Sequence, residues 1–201
     1  MKCNYDVKHI SAKVGKAFVK QHHYSHGSNR SPNPCFGLYE GDILIGVMLI
    51  ATPISESVRS FIFGVEYKNH VKELHRLVLI DDTPKNTESW FISRCLKLCN
   101  LVRPDIWGLV SYADTTEGHK GIIYQASNAY YSGMTGKSTF YLDNGRLRHP
   151  RQCGINITKE LAKEKGWKSV KRESKHRYVF ILGNRKEKRE RKKMIRKGVV
   201  L

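Results

Sequence analysis

Four polar side chains of different chemistry fall close together in this chain. They are Ser111, Asp114, His119 and Tyr124, within LVSYADTTEGHKGIIYQASNAYYSG from Leu109 to Gly133. A carboxylate at this place could accept a proton from an attacking amine, an imidazole could share that work, and a phenol could return a proton to a leaving group. Each also has a plainer use: a turn Asp, an exposed turn His, a Tyr on the buried face of a short helix. The elements around them decide whether they meet. Leu109 to Tyr112 is apolar enough for a central strand. Ala113 to Gly118 is small, acidic and Gly-containing, which predicts a turn. Lys120 to Ser127 has helical spacing and stops at Asn128, a residue that tolerates the left-handed conformation of a helix end. The four groups would then gather at the carboxyl end of a strand, where open α/β sheets bind ligands.

The chain of 201 residues is long enough for one domain with an appendage. No apolar run is long enough to span a bilayer, and MKCNYDVKHI lacks the apolar block of a signal peptide, so a cytoplasmic protein is expected. The five cysteines form no Cys-x-x-Cys, which speaks for reduced thiols and against structural zinc. Net charge is +18 and unevenly spread. Residues 1–132 hold 15 basic and 12 acidic side chains, whereas residues 133–201 hold 21 and 6. Such asymmetry points to a polyanion, with a merely solvated tail as the plainer alternative.

Strands are predicted at Cys35 to Tyr39 and Ile43 to Ala51, joined by a tight turn, and at Lys72 to Ile80. Asp81-Asp82-Thr83-Pro84 reads as a helix start, with Pro at the first helical position and the helix running to about Asn100. A strand at Ile106 to Tyr112 would lie parallel to Lys72 to Ile80 if that helix is a crossover. Asn144-Gly145 is a hairpin turn between Ser138 to Leu142 and Leu147 to Arg151. A short helix from Thr158, a strand at Arg177 to Leu182 and a charged segment of helical propensity at 184–197 follow. The pattern is α+β, a mixed sheet flanked by helices. Residues 1–183 would form the domain and residues 184–201 a basic C-terminal tail.

The central segment resembles two nested families. Tyr124 to Ala129 loosely follows the Tyr-x-x-x-Gly-Phe pattern of GNAT-type acetyl-CoA-dependent acyltransferases, with Asn128 in place of Gly. More closely, the chain is similar to the Mom DNA-modification proteins of bacteriophages. The shared residues are Ser111-Tyr112-Ala113-Asp114, Gly118-His119-Lys120-Gly121, Ile123 to Ala126 with Asn128, and Tyr131 to Gly133. Further matches are Glu73-Leu74-x-Arg76-x-x-Leu79, Thr83-Pro84, His23-Tyr24-Ser25 and Lys175 to Tyr178.

The resemblance implies a GNAT-like central mixed sheet and an enzyme that uses acetyl-CoA to place a methylcarbamoyl group on the exocyclic N6 of adenine in double-stranded DNA. The modification would protect phage DNA from restriction in the bacterial host cytoplasm. It implies Asp114, Tyr124, Ser111 and His119 as catalytic, with Tyr124 giving a proton to the CoA sulfur. Leu77, Leu79, Thr83, Lys85, Asn86, Thr87 and Asn128 would hold the cofactor. The usual Gly-x-Gly run is missing there, so Lys85, Asn86, Thr87 and Ser89 would supply side-chain donors. His23, Tyr24, Arg76, Lys175, Arg177, Arg185 and Lys186 would meet DNA. Because CH3-NH-CO contains a nitrogen that acetyl lacks, simple thioester aminolysis is insufficient, and a redox metal such as iron is one way to supply the extra step. His22 and His26, at i, i+4, are the candidate ligands, although a loop from Tyr24 onward opposes that geometry. Two other readings stand beside this one: an N-acetyltransferase of a small amine or protein, and a non-enzymatic basic DNA-binding protein on the same scaffold.

Overall fold

The computed structural model describes residues 4–23, 30–148, 151–152, 155–197 and 199. Its centre is a strand that could lie nowhere but inside. β3 (Ile43–Ala51, ILIGVMLIA) is apolar at nearly every position, as a strand covered on both faces must be. Met48 and Ile50 enter one core while Val47 and Leu49 enter another. Around it lie β1 (Tyr5–His9), β2 (Cys35–Glu40), β4 (Val71–Leu79), β5 (Gly108–Asp114), β6 (Tyr130–Met134) and β12 (Lys175–Ile181), in the order β1-β2-β3-β4-β5-β12-β6. Every neighbouring pair is antiparallel except β4 and β5.

That parallel pair follows from the crossover helix α3 (Thr87–Val102), whose Phe91, Cys95 and Cys99 recur every four residues and are fully buried on one face. α3 and the short α4 (Ile122–Ala126) cover one side of the sheet over the largest core. α1 (Ala12–His22) packs Phe18 and Val19 on the other side against Val47 and Leu49. α2 (Glu56–Arg59) is a single turn of helix after β3. Ile62 and Phe63, which follow it, cover the rest of that second face.

The helix start expected at Thr83-Pro84 is corrected. Pro84 is not the first helical residue: its carbonyl accepts from both the Thr87 backbone N–H (3.1 Å) and the Thr87 hydroxyl (2.6 Å), closing a turn. Asn86 then takes φ 73, and α3 begins at Thr87. Asn128 ends α4 with φ 62, and Asn144-Gly145 turns with φ 45 and 78, both in the left-handed region the sequence pattern required.

A second, three-stranded sheet has the order β11-β7-β8, from β7 (Ser138–Asp143), β8 (Arg146–Arg148) and β11 (Lys168–Arg172). Tyr141, Ile157 and Ala162, with Trp167, form its small core beneath α5 (Lys159–Glu164). A two-stranded ladder joins β9 (Arg151–Gln152) and β10 (Ile155–Asn156).

The C-terminal segment expected as a tail is α6 (Arg185–Lys193), docked on the main domain. Asn184 and Glu187 close a capping box at its start. Arg191 is buried and donates to the Leu182 carbonyl (2.7 Å), Met194 and Ile195 pack against the core of the second face, and the Arg196 N–H donates to the Ile62 carbonyl (2.9 Å).

Candidate active site

The site follows from how far two strands agree. β4 and β5 pair only from Val71–Gly108 to Glu73–Val110. Beyond that, β4 runs on to Leu79 and β5 to Asp114 without pairing. A bulge drives the divergence. Leu49 of β3 faces Arg76 and Ile50 faces Leu74, so His75 is an extra residue with no cross-strand partner. A bulge bends its strand and re-aims its side chains. The wedge between the parted strands is a cavity of about 590 Å³. Glu73, His75, Arg76 and Leu77 line it from β4, Tyr112, Ala113 and Asp114 from β5, and residues 118–124 close it.

The cavity gathers seven of the expected residues. Asp114, His119, Tyr124, Arg76, Leu77, Lys175 and His23 all line it. Asp114 is 4% exposed, accepts from the Thr116 N–H (3.1 Å) and from Lys175 Nζ (2.7 Å), and lies 3.5 Å from Arg172. Burial pushes its carboxyl up, but the Lys175 hydrogen bond and charge, with the Thr116 N–H, outweigh this and hold it below its ordinary value. In the structure the Asp114 carboxylate is engaged by Lys175, Arg172 and the Thr116 N–H. It anchors Lys175 and the turn carrying His119, whose N–H donates to the Asp114 carbonyl (3.1 Å).

His75 has the opposite balance. Burial, ahead of the Arg76 and Arg30 charges, outweighs Glu73 and lowers its pKa from 6.5, so the imidazole is neutral at pH 7. Glu73 itself pairs with Arg30 (2.7 Å), and its carboxyl is held low by hydrogen bonds from His75 and Arg30 that outweigh its burial. Tyr112 is pushed up to about 12, chiefly by burial and then by the Glu73 charge, so its phenol keeps its proton.

Tyr124 is buried, its ring 5.4 Å from that of Tyr178 and edge-on to Phe180. Gly121 makes this packing possible. It has φ 72, and a Cβ there would overlap the Tyr178 ring. The Tyr178 hydroxyl donates to the Lys120 carbonyl (2.6 Å), clamping the turn above α4. Ser111 does not line the cavity. It faces Tyr178 across the ladder, fully buried, and among the described residues its hydroxyl has no hydrogen-bond partner.

A second cavity of about 390 Å³ lies at the start of α3. Ile122 and Ile123 line both cavities, so the two adjoin at α4. Leu79, Thr83, Lys85 and Asn86 line it as expected. Thr87 does not: it is 5% exposed and its hydroxyl is spent on Pro84, while the Ser89 hydroxyl donates to the Asn86 carbonyl (3.0 Å). The first helical bond is given by the Trp90 N–H to Asn86, which leaves the Glu88 and Ser89 N–H groups without a partner inside the helix. Such N–H groups suit a diphosphate. Asp81 and Glu88 in the same wall outnumber Lys85, so an anion held here would rest on backbone rather than on side-chain charge. Asn128 lies outside both cavities and shapes the end of α4.

Several expected contacts fall elsewhere. Arg177 points to the other face, where its guanidinium donates to the Ser132 carbonyl (2.8 Å) and stacks 3.7 Å over Phe61. Arg185 and Lys186 sit on α6 and line neither cavity. His22 is exposed with its ring 4.4 Å from Phe18, and Tyr24 and His26 lie outside the described residues. Among the described residues no group of three or more His, Cys, Asp or Glu is placed to hold a metal, so the side chains described do not make a site for iron. His75, Glu73 and Arg172 were not foreseen as site residues. The alternation in KELHRLVLI puts Glu73, His75 and Leu77 on one face, a signal that a bulge obscures.

Comparison with known proteins agrees with this geometry. The family model of the Mom protein family matches residues 4–197. The methylcarbamoylase mom of Escherichia phage Mu is 29% identical over 198 residues, covering 94% of this chain and 80% of that protein. Among solved structures, the ribosomal-protein-S5-alanine acetyltransferase from Vibrio fischeri is 9% identical with a TM-score of 0.51, over 90% of this chain and 94% of that one. An acetyltransferase of the GNAT family from Streptococcus pneumoniae is 8% identical with a TM-score of 0.50, over 90% and 100%. The spermidine N-acetyltransferase from Vibrio cholerae, solved with CoA and spermine, is 7% identical with a TM-score of 0.50, over 89% and 95%. At such identities the structures speak for the fold alone. The match of the family model over nearly the whole chain establishes that this chain belongs to the Mom protein family.

Proposed function

We propose that this chain is an acyl-CoA-dependent transferase that places a methylcarbamoyl group on the exocyclic N6 of adenine in double-stranded DNA, in the host cytoplasm, and so protects phage DNA from restriction. The observation that carries the reading is the pair of adjoining cavities, one at the free N–H groups of α3 and the other among His75, Asp114 and Tyr124. The name of the Mu relative supports the methylcarbamoyl group, and the CoA held by the Vibrio cholerae enzyme supports the acyl carrier.

Bound acyl-CoA supplies an activated acyl carbon. The Glu88 and Ser89 N–H groups and Lys85 hold its diphosphate. Ile122 and Ile123 give an apolar passage between the cavities. Tyr124 holds, on its phenol oxygen, the proton that a departing thiolate requires. The adenine amine is a poor nucleophile because its lone pair is delocalised into the ring, so it must lose a proton as it attacks. The neutral His75 imidazole is suited to take it. Lys175 and Arg172, set by Asp114, face the anionic backbone of a nucleotide turned out of the duplex. Because CH3-NH-CO carries a nitrogen that acetyl lacks, and its insertion between methyl and carbonyl removes two electrons from the acetyl carbons, the reaction takes a second co-substrate that provides both: a nitrogen donor of hydroxylamine oxidation level, or an amine together with a two-electron oxidant.

Mass spectrometry of nucleosides from DNA of cells expressing the chain tests this function. A deoxyadenosine heavier by one methylcarbamoyl group is expected. An acetylated small amine or protein with unmodified DNA would favour the N-acetyltransferase reading, and an unmodified nucleoside pool with tight DNA binding would favour the binding protein.

A further inference from the structure

The positive charge of this chain is divided between two places, and only one of them adjoins the cleft. Residues 135–174, which carry the second sheet, hold ten basic and four acidic side chains; residues 184–201 hold nine and two. The second sheet is stitched to the cleft wall. The Thr135 N–H donates to the Lys175 carbonyl (2.9 Å), and the Lys175 N–H donates to the Thr135 hydroxyl (2.9 Å). The Thr115 hydroxyl donates to the Ser174 carbonyl (2.6 Å), and Arg172 at the end of β11 reaches Asp114. α6 lies at the opposite end of β12, where Arg191 holds the Leu182 carbonyl. At about 3.3 Å per residue, β12 separates the two ends by roughly 20 Å.

Resting on the DNA reading above, we propose that the second sheet is the surface that receives the duplex, holding its phosphate backbone at the mouth of the cleft, and that α6 is not. A nucleotide turned out into the cleft stays covalently joined to its neighbours, so the flanking phosphates must lie at that mouth. β11 is an edge strand. Lys168 and Arg172 share one face of this strand and Lys171 projects from the other, over about 13 Å from the Asp114 contact outward, the reach of about four phosphates of one strand along the axis. Arg172 and Arg148 lie over the rings of Phe140 and Trp167, at 5.4 and 5.2 Å. Arg148 is also paired with Asp143 and Arg172 with Asp114, so the cations of this surface with no carboxylate among the described residues are Lys168, Lys171 and Arg146.

The full-length chain is titrated with a fluorescent duplex of mixed sequence, by anisotropy, over a series of salt concentrations. The pair Lys168→Glu with Lys171→Glu is expected to weaken binding at least tenfold at about 100 mM salt and to lower the salt slope by about two. The pair Lys188→Glu with Arg189→Glu on α6 is expected to change affinity less than threefold. The milder Lys168→Gln with Lys171→Gln pair, checked by thermal unfolding and by calorimetric acetyl-CoA binding, must reproduce the loss in part with the fold intact. A greater or equal loss from the α6 pair overturns this inference and leaves the DNA reading standing. A wild-type chain that binds no duplex at any salt, or prefers single-stranded RNA, overturns both.

Discussion

The two basic regions look alike as sequence and differ as structure. In α6, charge is built around an internal arginine: Arg191 is 8% exposed, bonds Leu182 and lies over Trp107, and Met194 and Ile195 complete a core. Arg189 and Lys193 share Glu190. In the second sheet the cations stand on a small core of Tyr141, Ile157 and Ala162, beside the parted strands. Charge density alone therefore does not locate a function. One basic segment holds the far end of the domain together, and the other stands where the chemistry is.

Exchanging effects between the two ends would break that contrast. The largest change is expected from Tyr124→Phe, which removes the proton-bearing phenol. Modification of DNA should fall about a hundredfold or more with the unfolding midpoint nearly unchanged, measured by nucleoside mass spectrometry and thermal denaturation. Gly121→Ala should cost both fold and activity. The new methyl meets the Tyr178 ring at φ 72, so stability should drop by about 2–4 kcal/mol in urea unfolding, with loss of modification. Arg191→Ala should do the reverse of Tyr124→Phe. It leaves the Leu182 carbonyl short of its partner and should lower stability by about 1–3 kcal/mol, while each folded molecule still binds duplex DNA normally. Truncation after Gly183 removes this whole anchor, so it tests the core before it tests DNA binding.

A smaller effect concerns the acidic wall of the second cavity. Glu88→Gln should tighten acetyl-CoA binding a few-fold by calorimetry, since it removes a like charge beside the diphosphate and leaves the backbone N–H groups in place.

The smallest is a pH signature confined to the cleft end. The His75 pKa is lowered in the fold, so below its ordinary 6.5 the unfolded chain takes the proton first and stability begins to fall. Asp114 and Glu73 are also held low. Their stabilisation is full above the ordinary 3.8 and 4.5 and is lost as the pH drops through their native values. His75→Gln should flatten the upper part of the acid limb in urea unfolding, Asp114→Asn only the part below about 4.

The sequence pattern conveyed the scaffold well where periodicity and turn chemistry act locally. The apolar run of β3, the four-residue spacing of α3, the Asn-Gly hairpin and the helix-ending Asn128 were all legible for that reason. So was the collection of Asp114, His119 and Tyr124 around one strand end, because they are neighbours in the chain. What stayed hidden depended on distant partners. His75 enters the site through a bulge fixed by the register with β3, which no local pattern encodes. Asp114 is paired with Lys175 and Arg172, some sixty residues on. Pro84 reads as a first helical residue until its carbonyl is claimed by Thr87. α6 reads as a solvated charge run because Arg191 counts as surface until Trp107 and Leu182 are brought beneath it. β1, β6 and β11 went unread, being short strands at or near a sheet edge with few buried positions.

The most direct test is nucleoside mass spectrometry on DNA from cells expressing, in parallel, the wild-type chain, Tyr124→Phe and the Lys188→Glu with Arg189→Glu pair. The expected result is methylcarbamoyl-deoxyadenosine from the wild type and from the α6 pair, and about a hundredfold less from Tyr124→Phe. Modified adenine undiminished in Tyr124→Phe, or abolished in the α6 pair while that protein remains folded, would contradict the placement of chemistry at the parted end of β4 and β5.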